Sequence, residues 1–191
     1  MLLYLHGFNS SPASFKANVL KDAFAPAGRG DEFLCPALPH RPAQAMALLE
    51  SMLPQQPANS LTLVGSSLGG FYATYLTEKY GARSVLLNPA IFPHEGLREY
   101  LGPQKNLYTG DEYILTEQHL GEMRALFVPT LEDLSRYLLI TATGDEVIDY
   151  REGVARYAGA EQIIIQGSDH GMSDFADYLD KILNYARVSP L

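Results

Sequence analysis

The sequence contains one cysteine, Cys35, in 191 residues. A lone thiol excludes an internal disulfide framework and any site assembled from several thiolates, and leaves Cys35 as an inert, half-buried side chain. Basic residues are also few. The 14 Lys and Arg stand against 22 Asp and Glu, a formal net charge of -8 with a pI near 5.0. Such a surface repels phosphate backbones, so nucleic acid is not an expected partner. No apolar run approaches the roughly 18 residues of a membrane-spanning helix, and no basic stretch precedes MLLYLHGF as it does in a secretory leader. The expectation is a soluble, intracellular, cytoplasmic chain without a membrane partner. Internal repeats, low-complexity tracts and linkers are absent. So is an H-E-x-x-H motif, and the histidines are scattered without ligand spacing, so no metal or other cofactor is expected.

What remains is ordinary globular material. Apolar residues make up 47% and charged residues 19% of the chain, enough to bury a core at a length typical of one domain. Short apolar runs at 2–6, 32–35, 61–65, 84–88, 137–142 and 162–166 are continuous rather than alternating, as in strands covered on both faces of a parallel sheet. Between them lie helical patterns at 14–25, 41–53, 68–80, 149–157 and 173–188. The first places Phe15, Val19, Leu20 and Phe24 near one face. The third runs into Gly81, and the last opens on Ser173 and Asp174 as potential caps. Strand and helix alternating in this way predict an α/β fold with a parallel sheet between helical layers. Residues 91–136 break the rhythm and show no convincing strand. Two readings stand for them, ordinary helices with irregular loops or a small cap over a pocket.

The run at 61–65 leads into Gly65-Ser66-Ser67-Leu68-Gly69-Gly70 and then a helix. In G-x-S-x-G a nucleophile sits on a tight strand-to-helix turn, and glycines flank it because side chains there would collide with strand and helix. Ser67 is the candidate nucleophile, and Gly65 and Gly69 form its elbow. The helix N-terminus behind Ser67 favours developing negative charge. A serine hydroxyl needs a base. His6 ends the first strand and reads as structural, His40 lies between prolines, and His94 and His119 fall in 91–136. His170, in the turn Gly167-Ser168-Asp169-His170-Gly171 after the last strand, is at the sheet edge that carries Ser67. Asp145, after the strand at 137–142, is the candidate acid that orients the imidazole. Glu146 and Asp149 are rivals, with Asp149 better placed to cap the next helix. The backbone N–H groups of Phe8, in the His6-Gly7 turn, and of Leu68, after the nucleophile, are the expected oxyanion donors.

These residues resemble the α/β-hydrolase superfamily. LLYLHGFNSSP, LVGSSLGGFYAT, LLNPA, TGDEVIDY and a late Asp-His-Gly look like the YqiA-like family of small bacterial intracellular esterases. The resemblance spans nearly the whole chain and implies Ser67, Asp145 and His170 as nucleophile, acid and base, in the chain order of that superfamily. It also implies a reduced six-stranded sheet of order 2-1-3-4-5-6, with helices on both faces and a small helical insertion. The implied reaction is hydrolysis of a small-molecule ester or thioester through an acyl-enzyme. An acyl-CoA thioesterase, a peptidase and a non-catalytic hydrolase-like binding module are the alternatives. Phe8, Phe71, Ile91, Phe92 and Leu97 can line an apolar acyl pocket or pack in the core. Lys16, Arg98 and Lys105 can meet a phosphate-bearing leaving group or solvate a face. Acyl length and oligomeric state are left open.

Overall fold

The structure, a computed structural model, describes residues 1–25, 30–53 and 61–186. Its strands are β1 (Leu2–Leu5), β2 (Phe33–Leu34), β3 (Thr62–Ser66), β4 (Arg83–Leu87), β5 (Gly102–Lys105), β6 (Glu112–Leu115), β7 (Tyr137–Ala142) and β8 (Glu161–Ile165). Six of them form one sheet in the order β2-β1-β3-β4-β7-β8, and every pairing in it is parallel. With β5 and β6 set aside, this is the expected order 2-1-3-4-5-6.

The continuous apolar runs split between two cores by the period of two that strands impose. Leu3 and Leu5 of β1, Leu63 of β3 and Leu139 of β7 face α2 (Pro42–Met52) and α3 (Leu68–Tyr80). Leu2, Tyr4, Val64, Leu138 and Ile140 face the other way, onto α1 (Phe15–Phe24) and α7 (Leu179–Tyr185). Each fully buried side chain of this size contributes about 1.5–3 kcal/mol. Cys35 packs at the edge of the second core, and burial pushes its thiol up to about 12, so it is protonated and unreactive at neutral pH.

Three local expectations are corrected. Phe15 of α1 is 49% exposed, and Lys16 takes its place inward at 8% exposure. The amine is accommodated because it reaches a carbonyl oxygen, as described below. The helix expected over 173–188 is divided into a 3-10 turn, Phe175–Tyr178, and α7; residues 187 and 188 lie outside those described. Ser173 and Asp174 do not cap it. The Ser173 N–H donates to Asp169 Oδ1 at 3.1 Å, and the Asp174 carboxylate accepts the Ser168 hydroxyl.

The third correction concerns 91–136. Two short helices, α4 (Pro93–Gly96) and α5 (Glu117–Ala125), flank an antiparallel hairpin formed by β5 and β6. The hairpin escaped the sequence because Gly102-Pro103-Gln104-Lys105 contains no β-branched or aromatic residue. The insertion is thus only partly helical. It is fastened to the body where Glu122 of α5 accepts the Ala43 N–H at 3.1 Å and pairs with Arg41. The helix α6 (Tyr150–Arg156) follows β7.

Candidate active site

The carboxyl ends of β3, β4, β7 and β8 meet at one rim. β3 passes into α3 through Ser67, whose backbone lies at φ 54°, ψ -120°. Such a conformation costs a non-glycine residue about 1–3 kcal/mol, and hydrogen bonds hold it. The Ser67 N–H donates to Leu87 O at 3.0 Å, and the Ala90 N–H donates to Ser67 O at 3.1 Å. The flanking glycines answer the steric need read from the motif. A Cβ on Gly65 would stand 2.3 Å from Gly69 O, and one on Gly69 would stand 2.0 Å from Leu5 O.

His170 lies in the loop after β8. Its Nδ1–H donates to Asp145 Oδ2 at 2.8 Å, with Oδ1 at 3.0 Å. The Asp145 side chain is 1% exposed, and burial pushes its pKa up. The bonds from the imidazole and from the N–H groups of Ile148 and Val147 more than offset that, so the acid sits below its ordinary value and is a carboxylate at neutral pH. The rivals have other uses. Glu146 Oε2 accepts the backbone N–H of His170 at 3.0 Å, and Asp149 caps α6 by accepting the Arg151 N–H at 3.0 Å. The Ser67 hydroxyl and the imidazole line the same cavity, with no hydrogen bond between them among the described residues. Contacts of this type commonly tighten when substrate binds.

Two residues that sequence reading did not single out for the purpose hold the loop of His170. Asn88, buried at the end of β4 with φ 41°, donates from Nδ2 to the carbonyls of Asp169 and His170 at 3.1 and 3.2 Å. Its Oδ1 accepts the Ala142 N–H at 2.8 Å. One amide therefore ties β4, β7 and the histidine loop together. The buried Lys16 Nζ donates to Gly171 O at 2.8 Å. Burial lowers its pKa to about 8, with Asp169 and Asp145 acting against that shift. An asparagine closing the run LLN was the only sequence signal for the first; nothing in the spacing marked the second.

The His6-Gly7 turn abuts the elbow, since a Cβ on Gly7 would lie 3.2 Å from Ser67 Cβ. His6 is structural, as read. The Leu38 N–H donates to its Nε2 at 3.0 Å, so the proton is on Nδ1, which donates to Gly7 O at 3.1 Å. Burial keeps His6 neutral by lowering its pKa, against the opposing bond to Gly7. Within one trans peptide the carbonyl and the N–H point in opposite directions, so fixing Gly7 O also fixes the direction of the Phe8 N–H. Neither the Phe8 nor the Leu68 N–H has an internal acceptor among the described residues.

The cavity beside Ser67 and His170 measures about 410 Å³. Phe8, Ile91, Phe92, Leu97, Tyr100, Val147 and Ile148 supply its apolar wall, and Glu95, Glu99, Asp149 and Glu152 also line it. Phe71 does not; it packs in the core at 5% exposure. None of the three basic candidates faces the cavity free. Lys16 is buried against Gly171 O, Arg98 pairs with Glu117 at 2.9 Å, and Lys105 pairs with Glu112 at 3.5 Å. Among the described residues, no group of three or more His, Cys, Asp or Glu could hold a metal ion, and no helix is long and apolar enough to cross a membrane.

Residues 1–187 match the model of an uncharacterised protein family (UPF0227). Solved structures resemble the whole fold. A protein of Agrobacterium vitis S4, carried under a provisional hydrolase name, superposes with a TM-score of 0.70 at 18% identity, covering 97% of this chain and 87% of that one. Alpha/beta hydrolase domain-containing protein 10 from mouse gives 0.66 at 14% identity, covering 98% and 90%. The esterase domain of a Rhodothermus marinus protein gives 0.64 at 16% identity, covering 97% and 85%. At these identities the likeness is one of fold, and the fold is that of the α/β-hydrolases.

Proposed function

Given that the chain belongs to the UPF0227 family of YqiA-like proteins, we propose that it is a serine hydrolase of carboxylic esters with an apolar acyl or alcohol portion. The observation that carries this reading is the pairing of His170 with the buried Asp145 on the wall of a cavity that also exposes the strained Ser67. A carboxylate on Nδ1–H leaves Nε2 unprotonated, the form that accepts the serine proton. Ser67 Oγ attacks the ester carbonyl as its proton passes to His170. The N–H groups of Phe8 and Leu68 receive the oxyanion. His170 then protonates the leaving alcohol, and a water, deprotonated by the same imidazole, releases the acid and restores Ser67.

An ester is preferred to a coenzyme A thioester because, among the described residues, the lining contains no lysine or arginine to answer the phosphates of that leaving group. A purely binding role is disfavoured because candidates for all three catalytic positions are retained. The test is turnover of p-nitrophenyl esters of increasing chain length, with labelling by a serine-directed phosphonate. Ser67→Ala is expected to abolish both. Labelling of that variant at the wild-type rate would reject the reading.

A further inference from the structure

Stabilising the oxyanion requires the Phe8 N–H to hold its aim, and packing alone does not secure it. Behind its loop lies a second hollow of about 150 Å³, bounded by His6, Phe8, Asn9, Leu68 and Tyr113 among others. Although the Phe8 ring itself packs against the core and Tyr100, on that side no close-packed wall resists rotation of this segment. Hydrogen bonds from the hairpin of the insertion do. The Tyr113 hydroxyl donates to Asn9 Oδ1 at 2.8 Å, and Asn9 Nδ2 donates to Gln104 Oε1 at 3.1 Å. Gln104 Nε2 is itself committed to Tyr100 O at 2.6 Å, which leaves its Oε1 as the acceptor and fixes the orientation of the Asn9 amide. The backbone is held as well. The Leu107 N–H donates to Asn9 O at 3.0 Å, and Asn106 Nδ2 donates to Ser10 O at 2.8 Å. Asn9 sits at φ 50°, a left-handed conformation that asparagine tolerates better than most residues.

We propose that Asn9 is a positioning residue through which the β5–β6 hairpin aims the Phe8 N–H at the developing oxyanion. His6 holds the same peptide from its other end through Gly7 O. The inference rests on the serine-hydrolase reading. It gives 102–115 a fixed bracing role on the catalytic face, apart from any covering of the pocket. Because the N–H is needed most when charge develops on the carbonyl oxygen, loosening it penalises the transition state more than the bound ester.

The test uses Asn9→Gly, which keeps the left-handed backbone and removes both side-chain bonds, and Tyr113→Phe, which removes one bond without touching the loop. With the best p-nitrophenyl ester, Asn9→Gly is expected to lower kcat by about 10- to 100-fold with KM within about 2-fold. Tyr113→Phe has a smaller effect of the same kind, and the double variant is no worse than Asn9→Gly. Inhibition by a boronic acid, whose tetrahedral adduct occupies the oxyanion position, weakens in parallel, while binding of the matching carboxylic acid is unchanged. A merely structural role would not separate the two inhibitors. Wild-type kcat and wild-type boronate inhibition in both variants, with Ser67→Ala inactive, would overturn the inference and leave the esterase reading intact. Full activity in Ser67→Ala would instead remove the reading beneath it. If Asn9→Gly does not fold, the kcat and inhibitor split of Tyr113→Phe decides alone.

Discussion

Asp145 Oδ2 lies 2.8 Å from His170 Nδ1 on a side chain that is 1% exposed. The carboxylate decides which imidazole nitrogen carries the proton, and its remaining lone pairs are spent on the N–H groups of Val147 and Ile148, each at 2.8 Å. Asp145→Asn keeps an oxygen for those two backbone donors, so it should fold, with a melting temperature lowered by the loss of the charge-assisted bond to His170. Its amide can instead impose the wrong tautomer, and kcat should fall by on the order of 10⁴-fold. Ester kinetics and a thermal melt on the same preparation check both halves. Because the folded pKa of Asp145 is depressed, its contribution to stability is present above the unfolded value near 3.9 and is lost as pH falls through the folded value.

Lys16 should leave a signature at the opposite end of the pH scale. Its folded pKa of about 8 lies below the unfolded value of about 10.4. Between those values the unfolded chain binds more protons at this position, so the contribution of Lys16 to stability rises with pH across that window. Below pH 8 the burial penalty is fully present. Urea denaturation of wild type and Lys16→Met at pH 7, 8, 9 and 10 should show the difference between them shifting in favour of the wild type, by up to about 3 kcal/mol. A difference independent of pH would contradict the assignment of a buried, readily deprotonated amine.

The electrostatics of the cavity predict a preference among substrates. Asp149 is paired with Arg151 at 2.7 Å, whereas Glu95, Glu99 and Glu152, all on the lining, have no lysine or arginine in ion-pair contact among the described residues. The neighbour of Glu95, His94 at 3.8 Å, offers little compensation because burial lowers its pKa, outweighing the opposing pull of Glu95. Burial first, and then repulsion from Asp149 and Glu95, raise the pKa of Glu152. An ester bearing an ammonium at its distal end should therefore be hydrolysed with higher kcat/KM than its carboxylate-bearing counterpart, by about 10-fold at low ionic strength. That ratio should collapse in about 1 M salt, where the screening length is about 3 Å. It should also collapse in the triple variant Glu95→Gln, Glu99→Gln, Glu152→Gln. Equal rates for the two esters at low salt would refute the prediction.

The parts of the molecule read correctly from sequence are those whose signal is local. The run at 137–142 is β7 to the residue, and 68–80 is α3 to the residue, because burial on both faces and a helix ended by Gly81 leave marks in consecutive positions. The steric demand on Gly65 and Gly69 was likewise visible, since the motif states which side chains are missing.

The hairpin at 102–115 was not legible. Its first strand, Gly102–Lys105, lacks the residues that favour pleated structure, and the hairpin is held in place through Asn9 and Ser10, about a hundred positions away in sequence. Lys16 was misjudged for a related reason: helical periodicity reports which face is apolar on average and cannot know that a carbonyl at Gly171 waits for an amine.

The amino-acid sequence by itself determined the parallel α/β layering, the elbow at Ser67 and the order in which serine, aspartate and histidine follow along the chain, because each depends on neighbours a few residues apart. Tertiary structure alone decided that Asn88 clamps the histidine loop, that Asn9 is gripped by the hairpin and that carboxylates surround the cavity. Those depend on contacts between segments whose approach is set by chain closure and packing, and no local pattern encodes a distance across the fold.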